Sequence, residues 1–127
     1  MKKSRIFILG LVASLLFSCA PRIVGTWTVQ KYQTTTPGEE STTLINVGTM
    51  TFNKNNTGEK QLDYSVLGMQ KTDNAPFEWS SSERFITIVG DNTELSKTWL
   101  RIEDKRKFQK LQSTDGANTV QTLELSK

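Results

Sequence analysis

Ile23-Val24-Gly25-Thr26-Trp27-Thr28-Val29-Gln30-Lys31-Tyr32 is the stretch on which the reading of this chain turns. It begins four residues after Cys19, the only cysteine, and it opens everything in the sequence that can fold. Trp27 and Val29 fall on one face of a two-residue alternation, the period of a half-buried strand. No stretch of helical period and useful length comes after it. The rest of the chain is a series of short alternating runs broken by turn residues, the pattern of an all-β barrel or sandwich.

Working outward, the alternation predicts eight strands, at 24–33, 44–53, 59–67, 75–80, 84–89, 96–103, 107–113 and 119–125. Asn53-Lys54-Asn55-Asn56-Thr57-Gly58 is a strong turn, because Asn and Gly tolerate positive φ. Residues 68–74 read as a loop. Phe85-Ile86-Thr87-Ile88-Val89 is apolar on both faces and leaves its inward side open. In the seventh run Phe108 and Leu111 are out of phase, which points to a bulge. The expected inward set is Trp27, Val29, Met50, Phe52, Leu62, Tyr64, Val66, Phe77, Trp79, Leu100, Ile102, Phe108, Leu123 and Leu125. Eight sequential strands with short connections favour an up-and-down meander, and closing it into a barrel removes the exposed edges.

Composition excludes several functions. The formal charge of +3 comes from Lys2, Lys3 and Arg5; without residues 1–18 the chain carries 13 basic and 13 acidic side chains. Nothing there supports nucleic-acid binding, which needs a clustered basic surface on the folded domain. The absence of histidine removes the commonest metal ligand and the commonest general base near neutral pH. One cysteine rules out an internal disulfide.

The first nineteen residues are of another kind. A short basic start is followed by an apolar run, Ile6 to Phe17, interrupted only by Gly10 and Ser14. Its length suits the core of a secretory signal and is short for a membrane-spanning helix. Leu16-Phe17-Ser18-Cys19 resembles a lipobox, with an aliphatic residue three before the cysteine and a small one just before it. The resemblance implies cleavage after Ser18 and a diacylglycerol thioether on Cys19. An unmodified cysteine beside an ordinary cleavage site and an uncleaved anchor are the competing readings. The expected organisation is a signal peptide at 1–18, a lipidated cysteine and tether at 19–22, and one domain at 23–127. No acidic run follows Cys19, so the expected address is the periplasmic side of the outer membrane.

Gly25-Thr26-Trp27 resembles the Gly-x-Trp that begins the first strand of lipocalin-type barrels. With the lipobox before it, the chain looks like the small lipocalin-like lipoproteins of Bacteroidota. The resemblance implies that Trp27 plugs one barrel end and that a late basic residue, Arg101 or Arg106, packs across its indole. The chain has no Thr-Asp-Tyr motif and no C-terminal helix of the full-length family.

An eight-stranded barrel is just wide enough to be filled by side chains or to hold one small ligand. This leaves two functional expectations. In the first, the domain binds a small hydrophobic or amphipathic ligand at the open end, among Tyr64, Phe77 and Trp79. In the second, the barrel is packed and acts through its surface on an envelope protein, with an exposed apolar patch around Trp99 or Phe85. Both expectations are of a monomer. No catalytic residue, metal site or cofactor is expected: Glu39-Glu40 and Glu103-Asp104 are neighbouring carboxylates that point to opposite faces of a strand or into solvent. Lys105-Arg106-Lys107 with Lys110 reads as a solvated basic turn able to orient the domain on an anionic lipid surface.

Overall fold

A computed structural model describes residues 21–90, 94–114 and 118–127. Cys19 and the segment before it lie outside the described residues. Nine strands occur among them: β1 (Gly25–Thr35), β2 (Thr42–Phe52), β3 (Thr57–Val66), β4 (Met69–Asp73), β5 (Phe77–Ser81), β6 (Phe85–Val89), β7 (Thr98–Lys105), β8 (Phe108–Thr114) and β9 (Val120–Ser126). All pairings are antiparallel, and β1 pairs with β2 on one side and β9 on the other. The sheet therefore closes into an up-and-down barrel of lipocalin-like architecture.

The barrel has eight staves, and the ninth strand is half of one of them. β4 and β5 both pair with β3 in a single register. Leu62 stands opposite Asp73, and four residues further along each strand Gly58 stands opposite Phe77. Pro76, which has no N–H to donate, lies in the interruption. Residues 69–73, which read as loop in the sequence, are strand. Their turn, Leu67-Gly68, has both residues at positive φ (53° and 78°), the geometry of a two-residue hairpin. Leucine is an unusual residue there, so the usual Asn-Gly signal is absent.

Antiparallel alternation fixes two ends. Pro21, the β2–β3, β5–β6 and β7–β8 turns and Lys127 share the near end. The β1–β2, β3–β4, β6–β7 and β8–β9 connections share the far end.

The interior is packed. Trp27, Val29, Met50, Phe52, Ile86, Ile88, Trp99, Leu111, Leu123 and Leu125 are each exposed by 1% or less. A central space large enough for water would leave the side chains around it accessible, and these are not. Leu62, Phe77 and Trp79 join the same cluster. Phe52 anchors the aromatic part, edge-on to Phe77 at 5.2 Å and to Trp79 at 5.7 Å. The Phe77 ring lies directly over the backbone of Gly58, where any Cβ would collide with it.

Both ends are closed by the same local device. The Trp27 indole N–H donates to the Ile23 carbonyl at 2.8 Å, and the Trp99 N–H donates to the Leu95 carbonyl at 3.0 Å. Each bond reaches back four residues, satisfies a buried donor and draws a buried aliphatic residue across the barrel mouth. A lysine lies over each indole: Lys127 Nζ is 4.6 Å from the Trp27 ring centroid and Lys97 Nζ is 5.7 Å from that of Trp99. The cation over Trp27 is thus Lys127, not Arg101 or Arg106. Gly25 makes room for it: with φ at +131° and no Cβ, it clears the space that the Lys127 ammonium occupies.

The expected inward set needs correction in three places. On β7 the faces are reversed: Trp99 is buried, whereas Leu100 and Ile102 are exposed. Arg101 shares the Trp99 face near the mouth, and past it the strand changes phase so that Glu103 stands opposite the outward Lys110; alternation of apolarity misleads there. On β8 the inward residues are Gln109, Leu111 and Ser113, with Phe108 half-buried. The bulge inferred for β8 lies instead in the facing strand, between Arg101 and Glu103. Tyr64 and Val66 are only half-buried, because β3 runs past the rim of the barrel there. On β6, whose inward side the sequence left open, Ile86 and Ile88 face in.

Candidate functional site

Lys60 sits on the inward face of β3, between Gly58 and Leu62, with its side chain 0% exposed. A buried ammonium is very costly unless paired. Its partner is Asp73, the last residue of β4, at 2.7 Å. The other Asp73 oxygen accepts the backbone N–H of Ala75 at 3.2 Å. One carboxylate therefore both neutralises the lysine and shapes the interruption between β4 and β5.

Around this pair the far end carries further polar side chains. Tyr32, the last buried residue of β1, donates to a Glu94 carboxylate oxygen at 3.3 Å, and its oxygen accepts from Gln121 at 3.1 Å. Lys97 donates to the Gln121 amide oxygen. The other Glu94 oxygen is 3.7 Å from Lys71 of β4. Burial first, then the nearby Glu94 charge, pushes the Tyr32 phenol well above its ordinary range. Tyr64 is pushed up for the same reasons in the same order, with Asp73 adding a smaller share.

Between β4 and Glu94 lies a cleft of about 620 Å³, lined by Tyr64, Lys71, Thr72, Asp73, Asn74 and Ala75. It is polar and lies outside the packed core. β4 forms one wall and ends the sheet order, pairing only with β3. It is the one strand among those described without a partner on its second edge. At the tip of its hairpin Leu67 is 98% exposed, and Met69 and Ile45 of β2 are exposed too.

The residues expected to form a ligand site do not converge. Tyr64 lines the polar cleft. Trp79 is buried, and its indole N–H donates to the carbonyls of Thr57 at 2.9 Å and Asn53 at 3.1 Å, toward the near end. Phe77 packs between Phe52 and Gly58, and its edge lines a separate outer cleft of about 510 Å³ with Pro76 and Val89. Gly25 and Trp27 belong to the near-end plug. Of the two apolar positions expected on the surface, Phe85 is exposed and Trp99 is fully buried. Lys60, Asp73, Glu94 and Tyr32 lie outside the set that the sequence singled out. The parity of Lys60 with Leu62 was a legible signal; the other three are joined to it only by the fold. Among the described residues no three His, Cys, Asp or Glu side chains gather as a metal site.

Fold and site together define the class: a closed eight-stranded barrel of lipocalin-like architecture with a filled interior and a polar cleft beside one free strand. Searches against protein-family models, curated sequences and solved structures give no match.

Proposed function

We propose that this is a lipid-anchored protein of the cell envelope whose packed barrel acts on an envelope protein through the β3–β4 hairpin and the cleft beside it. One observation carries the reading: interior side chains from Trp27 to Leu125 are inaccessible, while Leu67 is 98% exposed in a backbone conformation that leucine avoids. An L-residue in the left-handed region costs about 1–2 kcal/mol, and at this tip no burial offsets it. A solvent-facing leucine held there at a cost is suited to contact with another surface. The free edge of β4 offers backbone groups to an extended segment of that partner. The anchor rests on the Leu16–Cys19 pattern, and the tether from Cys19 to Arg22 is short.

The polar cleft supports a second reading, in which a small amphipathic ligand sits against Tyr64 with its charged part among Lys71, Asp73 and Glu94. Native mass spectrometry of the protein purified gently from its own envelope separates the two. The packed-barrel reading expects the bare acylated mass. It also expects a photo-crosslinker at Leu67 to yield one discrete protein adduct that the same group at Thr49 does not. A reproducible small-molecule mass, lost on denaturation and in Tyr64→Ala, refutes it in favour of the ligand reading.

A further inference from the structure

The near end of the barrel is basic, and it is also where the chain reaches Pro21. Its exposed turns carry Arg22, Lys54, Arg84 and the run Lys105-Arg106-Lys107, and Lys127 lies over the plug beside them. Against these stand Glu83, Glu103 and Asp104; Asp104 is already held by Arg101 at 3.1 Å, and Glu103 lies 3.8 Å from Lys105. The far-end connections are the opposite: Glu39, Glu40 and Glu94 against Lys97 among the described residues. A chain with no net side-chain charge after residue 18 is therefore polarised along its barrel axis.

Apolar residues extend this end down one wall. Phe85 follows Arg84 at the start of β6 and is 45% exposed. It stands directly opposite Leu100 on β7, with Ile102 nearby, and all three point outward. A shallow cleft of about 230 Å³ lies along Phe85 and Leu100. Basic turns bordered by exposed aromatic and aliphatic side chains make a surface suited to a lipid headgroup region, where cations meet phosphates and the apolar groups dip toward the acyl boundary.

We propose that the near end seats on the surface of an anionic phospholipid bilayer, with the Phe85–Leu100–Ile102 flank at the interface, so that the β3–β4 hairpin points away from the membrane. The occupant is set by charge complementarity and by the position of Pro21, the first described residue, at this end. The orientation deepens the anchored reading, but the surface property does not need the acyl chains.

The test uses the chain from Ala20 onward, without lipid. The closed sheet and its core are built entirely from residues after that point. Co-sedimentation is measured with vesicles of equal phosphatidylglycerol and phosphatidylcholine and with phosphatidylcholine alone. Binding is expected to the anionic vesicles only and to fall as salt rises. Arg84→Gln and Lys54→Gln should each lower the partition coefficient about fivefold, and Arg106→Gln with Lys107→Gln roughly twenty- to thirtyfold. Phe85→Ser should weaken it further, while Glu39→Gln with Glu40→Gln at the far end should not. Equal binding to both vesicle types, no binding at low salt, or indifference to the near-end changes overturns the proposal. Acylation of Cys19 is read separately, from the mass of the full chain in the envelope, so the anchor and the surface can fail independently.

Discussion

Removing Asp73 should cost more than removing Lys60, although the two form one pair. The Lys60 side chain is 0% exposed and that of Asp73 is 19% exposed, with 2.7 Å between charges. Asp73→Ala leaves an ammonium sealed in the barrel without a counter-charge and also deprives the Ala75 N–H of its acceptor. Breaking a buried pair from this side costs about 3–5 kcal/mol, a large part of the roughly 5–15 kcal/mol of a typical domain. Lys60→Met keeps most of the packing and leaves a carboxylate that reaches water and still accepts from Ala75. Its expected cost is about 1–2 kcal/mol, in the range for one unsatisfied polar group. Lys60→Met combined with Asp73→Asn removes both charges and should fall within about 1 kcal/mol of the parent, since a buried pair replaced together is often close to neutral. The assay is urea unfolding followed by the emission of the three tryptophans, with Asp73→Asn alone added to close the double-mutant cycle with Lys60→Met. Equal losses in the two single variants, or a double variant as unstable as their sum, would refute the asymmetric burial argued for this pair.

Four further outcomes are expected. Tyr32 holds its proton more tightly folded than unfolded, so its contribution is complete below the ordinary phenol value near 10. It is lost as pH rises above that, when the unfolded chain ionises first; stability measured by denaturant at alkaline pH should fall more steeply in the parent than in Tyr32→Phe, by at most about 1.4 kcal/mol per pH unit. Lys127→Ala should lower stability by about 0.5–1 kcal/mol through loss of the cation over Trp27, and Lys127→Arg should retain it in the same unfolding assay. Gly58→Ala drives a methyl into the Phe77 ring and should cost about 1–3 kcal/mol by overpacking, seen as a lower thermal midpoint. Leu67→Asn should raise stability by about 0.5–1 kcal/mol, because asparagine accepts the left-handed conformation and no burial is forfeited; with the photo-crosslinker moved to the exposed Met69, the same variant should lose the partner adduct.

All eight staves were legible because their side chains alternate over half-buried surfaces: Trp27 with Val29, Met50 with Phe52 and Phe77 with Trp79 all face inward as their spacing indicates. The turn at 53–58 was legible because Asn and Gly announce positive φ. β4 was not, because Met69-Gln70-Lys71-Thr72-Asp73 buries almost nothing and leaves no hydrophobic trace. The reversed face of β7 was hidden for a related reason. Close to a mouth the inward position after Trp99 accepts Arg101, and the outward ones carry Leu100 and Ile102, so apolarity stops reporting direction.

The amino-acid sequence by itself determined the number of barrel staves, their order and most of the core, since local alternation and turn chemistry act between neighbours in the chain. Only the tertiary structure decided which charges meet. Lys60 reaches Asp73 across a hairpin, Tyr32 reaches Glu94 around the barrel, and Lys127 reaches Trp27 from the other end of the chain. Such contacts depend on strand register and on closure of the sheet, and neither is written in any single stretch of residues.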